Sequence, residues 1–320
     1  MSRYIRLRAA SHVDTPVVLI VFNRPDLTGR VLECIRKAKP SKLFVVCDGA
    51  RPDGPRDDDR VAAVRRMIAD NVDWSCEVYT NYAGTNLGCR ERPASGINWV
   101  FSLVEEAIFL EDDCLPDQSF FSFCAEMLIR YRNDERVMHV NGTNFIAPYL
   151  KPQGSYFFSK YVWVWGWATW RRAWKHYDYT MASWEKLSQS LNASFDSRRE
   201  QAYWIRTFDD ARRDWRTAQA WDFPWIYSCW TRSGLAVTPS ANLVENLGFR
   251  SDATHTIDIS SHLRIQAGKL NSNRRSVPVR RSRFRDDMMF RMYAGEAVSA
   301  RTNFGGALRV LYRLIAGIRE

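Results

Sequence analysis

Three short apolar runs, each ending in a polar cluster, constrain this chain more than any other feature. Val17-Val18-Leu19-Ile20-Val21-Phe22 leads into Asn23-Arg24, Leu43-Phe44-Val45-Val46-Cys47 into Asp48-Gly49, and Ala107-Ile108-Phe109-Leu110 into Glu111-Asp112-Asp113. A continuous apolar run of this length fits a strand covered on both faces. Between the runs the period changes to that of a helix: Leu27, Val31 and Ile35 mark one, and Val61, Val64 and Ile68 a second. Residues 93–105 predict a third helix, Glu77-Val78-Tyr79-Thr80 a weaker strand, and the Pro-, Gly- and Asp-rich stretch 51–59 a loop. Strand and helix in alternation predict an α/β chain with a mainly parallel mixed sheet flanked by helices, Rossmann-like in character. Ligands of such sheets bind beyond the carboxyl ends of the strands, so the three polar clusters predict one shared crevice.

After residue 115 the texture changes. Phe120, Phe121, Phe123, Met127 and Leu128 predict a helix packed on the sheet, and Val137 to Val140 a further strand. The aromatic stretch Tyr161 to Trp170 follows, then helices over about 183–190, 198–216 and 222–232. The core is expected to close near residue 265. The chain therefore divides into a body over 1–263, with a first half of about 16–115 and a second of about 116–263, and an appendage over 264–320.

Charge sharpens that division. The net charge is +10, but residues 264–320 hold thirteen Lys/Arg against four Asp/Glu, which leaves the body almost neutral. This argues against nucleic acid bound across the body. The appendage is read either as a solvated tail or as a basic surface facing something acidic, with a short amphipathic helix over 306–319. Seven cysteines, none in CxxC spacing, suggest a reducing compartment. The N-terminal segment is basic without an apolar core, and no apolar stretch approaches the roughly 18 residues of a membrane span. The expectation is a cytoplasmic protein, peripheral at the inner face of the membrane if the tail binds lipid.

Three adjacent carboxylates at a strand end raise one another's pKa, a cost that a divalent cation removes. Mg²⁺ and Mn²⁺ take hard oxygen ligands, often one or two carboxylates completed by phosphate and water, which suits a nucleoside diphosphate. The alternative reading is a solvated acidic turn, with Asp117 as cap of the next helix. Ala220-Trp221-Asp222-Phe223-Pro224-Trp225 sets a carboxylate among large apolar groups, where burial makes it a better base. Its alternative is a helix start, with Pro224 in the first turn.

Val-Leu-Ile-Val-Phe-Asn-Arg-Pro at 18–25, Cys-Asp-Gly at 47–49, Asn-Leu-Gly-Cys-Arg at 86–90 and Phe-Leu-Glu-Asp-Asp-Cys-Leu-Pro at 109–116 follow in an order that resembles the nucleotide-diphospho-sugar transferases of GT-A fold. The likeness is to the N-acetylglucosaminyltransferase I type and its bacterial relatives, over roughly residues 16–260. The resemblance implies an inverting, metal-dependent glycosyltransferase that moves a sugar from a UDP-sugar to a hydroxyl of a glycan or glycolipid. It implies that Arg24 and Asp48, beside Phe22 and Asn23, hold the uracil end of the donor, and that Arg90 lies near base or phosphate although its residue type departs from the family's. Asp112 is implied to bind ribose, Glu111 to lie near the donor sugar, Asp113 to ligate Mn²⁺ or Mg²⁺, and Asp222 to act as general base. Trp163, Trp165, Gly166, Trp167 and Trp221 are implied as a platform for acceptor or donor sugar, and His255 as a late-loop group reaching metal or pyrophosphate.

Simpler readings stand beside these: a salt bridge for Arg24, a turn for Asp48-Gly49, core packing for the tryptophans and a surface role for His255. A sugar nucleotidyltransferase is expected to carry a Gly-rich loop after the first strand, where this chain has Phe22-Asn23-Arg24-Pro25. A non-catalytic glycan- or nucleic-acid-binding protein is the rival of another class.

Overall fold

The computed structural model describes residues 14–150, 154–191, 194–213, 220–249, 263–270 and 275–299. His255, the residues before Asp14 and the helix expected over 306–319 lie outside the described residues. In chain order the elements are β1 (Val17–Val21), α1 (Pro25–Ala38), β2 (Lys42–Cys47), α2 (Asp57–Asn71), β3 (Glu77–Tyr82), α3 (Gly88–Leu103), β4 (Glu106–Glu111), β5 (Cys114–Pro116), α4 (Gln118–Tyr131), β6 (Val137–Asn141), β7 (Tyr156–Ser159), β8 (Trp167–Trp170), α5 (Arg171–Trp174), α6 (Trp184–Leu191), α7 (Arg198–Arg213), α8 (Asp222–Thr231), β9 (Leu235–Pro239), β10 (Val244–Asn246) and α9 (Arg283–Ser299).

The main sheet has the order β3-β2-β1-β4-β8-β6-β9-β7. β3, β2, β1 and β4 are parallel, β8 enters antiparallel between β4 and β6, and β6 and β9 are again parallel. The chain is thus α/β, with a large mixed sheet in a Rossmann-like arrangement. Its strand order reverses between β1 and β4, which opens a crevice at their carboxyl ends.

The continuous apolar runs have the two-sided cover they require. Val18 and Ile20 face one core with Phe44, Val46, Ile97, Val100 and Phe101, whereas Val17, Leu19 and Val21 face the other with Val31, Ile35, Val64 and Ile68. Each such side chain contributes about 1.5–3 kcal/mol on burial. Gly96 lets α3 lie close to β2, since a Cβ there would meet Val46 Cγ1 at 2.4 Å. Asp117 caps α4 by accepting from the Ser119 amide at 2.8 Å.

Three boundaries differ from the expectation. Helix α3 begins at Gly88 and accommodates Pro93 inside it. Helix α2 begins at Asp57, within the expected loop, because Asp57, Asp58 and Asp59 form a first turn that suits the positive end of the helix dipole. The core also continues past residue 265. Met288, Met289, Phe290 and Ala294 of α9 are buried in the same cluster as Trp204 and Trp230. Arginines in and beside this helix are taken up locally, Arg281 by Asp196 at 2.6 Å and Arg291 by Asp287 at 2.8 Å. A segment that is basic in composition therefore still docks through its apolar positions. No helix among the described residues is long and apolar enough to cross a membrane.

Candidate functional site

The crevice is built from the three strand ends inward. At the end of β1, Asn23 donates to Asp57 Oδ1 at 2.6 Å, and Arg51 donates to Asp57 Oδ2 at 2.6 Å. These bonds hold the Asp57 carboxyl below its ordinary range, the Arg51 bond contributing most. The Arg51 guanidinium lies 5.3 Å from the centre of the Phe22 ring, so Phe22 and Arg51 form one stacked lip. Arg24 closes on the acidic triplet. Its guanidinium is paired with Asp112, including an Nε contact to Oδ2 at 3.3 Å, and reaches Asp113 Oδ2 at 3.0 Å. Burial disfavours the Arg24 charge, but Asp112 and Asp113 outweigh it and hold the group above its usual value.

At the end of β2, Asp48 is buried and surrounded by donors. Oδ1 accepts from the Gly49 amide at 2.8 Å and the Leu87 amide at 2.9 Å, and Oδ2 from the Gly88 amide at 2.9 Å and Asn86 Nδ2 at 3.1 Å. Four donors occupy a carboxylate with about four lone-pair sites. The loop entering α3 is thereby latched to β2. Gly49 permits the approach, since a Cβ there would meet the Thr85 carbonyl carbon at 2.4 Å.

At the end of β4, Glu111 accepts from Trp221 Nε1 at 3.1 Å. Burial, then Asp113, Asp112 and Asp222, push its carboxyl up to about 8. Asp112 is also raised by burial, against the pull of Arg24. The small antiparallel pair β5–β10 brings residues 246–248 against Asp113, whose carbonyl accepts from the Leu247 amide at 2.8 Å. Gly248 is required there: a Cβ would meet Asp113 Oδ2 at 2.5 Å.

A divalent cation fits this donor set as a partial shell only. Among the described residues no group of three or more His, Cys, Asp or Glu side chains has metal-binding spacing. Asp113 presents one hard oxygen to the crevice, and phosphate and water would complete the coordination. Its Oδ2 now faces Arg24, so a cation there requires Arg24 to turn away.

These clusters share one cavity of about 890 Å³ with Asp222, Trp221, Trp165 and Arg90. Asp222 is the first residue of α8, and burial pushes its carboxyl up to about 6 against the stabilising amides of Asp222 and Phe223. Cys89 lies nearby with its thiol pushed up to about 11 by burial and by Glu111. Arg90 donates to the carbonyls of Tyr179 at 2.8 Å and Ala211 at 3.2 Å, which ties α3 to the second half of the chain.

The sugar platform expected from the tryptophan stretch divides. Trp163, Trp165 and Trp221 stand on the cavity wall. Trp167 is set into the core beneath, stacked on Trp221 at 5.5 Å and on His139 at 5.0 Å. Gly166 adopts φ +65°, and a Cβ there would meet Val244 Cγ2 at 2.5 Å, so it serves packing. β8 buries all four of its side chains between β4 and β6, which takes Trp167 out of reach. Phe22, Asn23, Arg24, Asp48, Arg90, Glu111, Asp112, Asp113 and Asp222 do come together. Arg51, Phe145 and Tyr293 also line the cavity and were not anticipated. Tyr293 had a signal in the helical spacing of Met289, Phe290 and Tyr293; Arg51 and Phe145 had none.

No protein-family model matches this chain, and no curated protein matches it in sequence.

Proposed function

We propose that the protein is an inverting glycosyltransferase of GT-A fold that uses a UDP-sugar and transfers the sugar to a hydroxyl acceptor. The observation that carries this reading is the division of carboxylates within one cavity. Asp112 and Asp113 are paired with a cation, Arg24, whereas Asp222 stands opposite at about 6, in range to remove a proton near neutrality. The strand order, the reversal between β1 and β4 and the small β5–β10 pair support the GT-A assignment. The absence of a glycine-rich loop between β1 and α1 speaks against a nucleotidyltransferase.

In this reading Asp222 takes the acceptor proton while the acceptor oxygen bonds to the anomeric carbon. The bond from that carbon to the diphosphate breaks, and UDP leaves with the electron pair. Glu111 is placed to bond a donor-sugar hydroxyl. Arg24 turns from Asp113 toward the diphosphate. A divalent cation on Asp113 would neutralise the leaving phosphates. Asp48 acts indirectly, by fixing the loop at 86–88. The basic residues after 264 are proposed to favour an anionic membrane surface, an attachment that high salt should release.

The test is donor hydrolysis across UDP-, GDP- and dTDP-sugars with and without Mn²⁺. UDP-sugar turnover that EDTA abolishes is expected. Turnover of none of the donors, with no UDP binding, would overturn the reading.

A further inference from the structure

The first residue of α8 is Asp222, yet the helix begins without a side-chain cap. Helix N-termini leave amides without intrahelical partners, so a carboxylate carried there needs some other support to hold one position. The support comes from the turn that follows α5. The Tyr177 hydroxyl donates to the Trp221 carbonyl at 3.0 Å. The Asp178 amide donates to Ser228 Oγ at 2.9 Å, and Ser228 donates to the Pro224 carbonyl at 2.6 Å. The turn therefore lies along α8 and is bonded to it at two levels. From the other side the Trp221 indole donates to Glu111 at 3.1 Å. Trp221 is gripped by its carbonyl and by its ring, and Asp222 is the next residue.

Tyr177 is itself fixed. Its ring stacks on Trp174 at 4.2 Å with planes 13° apart, and Trp174 Nε1 donates to Asn98 of α3 at 2.7 Å. Burial, resisted by Arg90 and reinforced by Tyr179 and Asp222, holds the Tyr177 phenol above its ordinary value, so the hydroxyl keeps its proton and stays a donor. The bond has an electronic consequence as well as a mechanical one. The Trp221 carbonyl and the Asp222 amide belong to one peptide group. A donor on that carbonyl polarises the group and strengthens its N–H. The same N–H, with that of Phe223, stabilises the Asp222 carboxylate.

We infer that Tyr177 is a positioning residue for Asp222, acting through the Trp221–Asp222 peptide to set where the carboxylate points. The catalytic meaning rests on the glycosyltransferase reading; the coupling of the Tyr177 hydroxyl to the Asp222 carboxyl rests on the bonds themselves.

Tyr177→Phe tests it, because phenylalanine keeps the stack on Trp174 and deletes the hydroxyl. In UDP-sugar turnover, kcat should fall about fivefold to tenfold, with KM and UDP affinity within about twofold. The rising limb of the pH profile should move up by about half a pH unit, since the carboxylate loses part of its stabilisation. Asp222→Asn removes the group being positioned, so adding Tyr177→Phe to it should cost no more than about 1.5-fold. Carbon-13 NMR titration of the Asp222 carboxyl in the full chain, assigned by its absence in Asp222→Asn, should show the same upward movement independently of turnover. Glu111 of β4, Cys89 of α3 and Tyr293 of α9 also face Asp222 and are the same in both proteins, so a moved midpoint reports the Tyr177 bond. In the unaltered protein the Tyr177 Cζ resonance should follow the Asp222 titration, which decides the matter if the variant does not fold. A purely structural Tyr177 would lower the urea midpoint and leave the carboxyl titration where it was. That result, a Tyr177 Cζ insensitive to the titration, or equal losses from Tyr177→Phe with and without the Asp222 carboxylate, overturns the inference. A moved carboxyl midpoint in a protein that turns over no UDP-sugar overturns the transferase reading and leaves the coupling standing.

Discussion

The two ends of the crevice are built in opposite ways. At the β1–β4 end the polar groups are already paired with one another: Arg24 with Asp112 and Asp113, Asp48 with four donors, Asp57 with Asn23 and Arg51. At the Tyr293 end the rings of Tyr293, Trp163, Trp204 and Phe145 pack on one another. A ligand entering the charged end must exchange internal ion pairs for new ones, and its net gain is the difference. A ligand entering the aromatic end would have to part rings that pack on one another. The charged end therefore suits a highly charged group able to compete with a carboxylate–guanidinium pair. Asp222, Trp221 and Glu111 lie at the joint.

The largest effect should come from the joint. Asp222→Asn keeps the size of the side chain and removes the base. Transfer should fall about 10²–10⁴-fold, with UDP affinity within about twofold. The pH profile supplies a second reading. A base must be deprotonated, so transfer by the unaltered protein should rise with pH through about 6 and level off above it, losing about tenfold per unit below. A flat profile from pH 5 to 8, or full activity in the Asn variant, would show that the two ends are joined by some other group.

Next in size is Asp113→Asn, which acts at the charged end alone. Mn²⁺–UDP affinity, read by isothermal titration, should weaken roughly 100-fold, whereas the near-UV circular dichroism of the aromatic end should hold. Removing Mn²⁺ with EDTA should imitate the variant. If UDP binds as tightly without metal, Arg24 rather than a cation neutralises the phosphates.

Asp48→Asn separates a latch from a ligand-binding group. The amide keeps one accepting oxygen but turns an NH₂ toward donors on the other side, leaving two of the four without an acceptor. The expected loss is about 2 kcal/mol of unfolding free energy in a urea titration. UDP affinity measured on the folded fraction should change far less. A stable variant with weakened UDP binding would return Asp48 to the donor-contacting role that the sequence suggested.

The charged end was legible in the sequence, and the aromatic end largely was not. β1, β2 and β4 announce themselves because a strand covered on both faces must be apolar throughout, and their polar ends follow in register: Ile20 is beside Glu111 and Val21 beside Cys47. Local pattern suffices there, since each cluster is adjacent in sequence to its strand. The Asp48 latch was hidden because its donors come from residues 86–88, and nothing in a single sequence pairs those positions. Trp167 was misplaced for a similar reason. Whether an aromatic residue faces a cavity or a core depends on which strands flank it, and β8 is inserted antiparallel between β4 and β6 from far along the chain. Helix α9 was masked by composition. Its arginines suggested a tail, while the apolar groups that dock it, Met288, Met289, Phe290, Met292 and Ala294, are interleaved with its charges.

The smallest effect should come from Trp221→Phe, which tests whether the two ends communicate. The Trp221 ring stacks on Trp167 at the aromatic side, and its N–H binds Glu111 at the charged side. Phenylalanine keeps most of the stacking area and deletes the donor. Losing one such bond costs about 1 kcal/mol, or about fivefold in an equilibrium. Because that bond lowers the Glu111 pKa, its removal should leave Glu111 more firmly protonated. If Glu111 positions a donor-sugar hydroxyl, KM for the UDP-sugar should rise about fivefold, while UDP affinity stays put. A changed near-UV circular dichroism spectrum with an equal loss in UDP affinity would mean that Trp221 holds the aromatic end in place, and that the two ends form one pocket that a single ring can disturb.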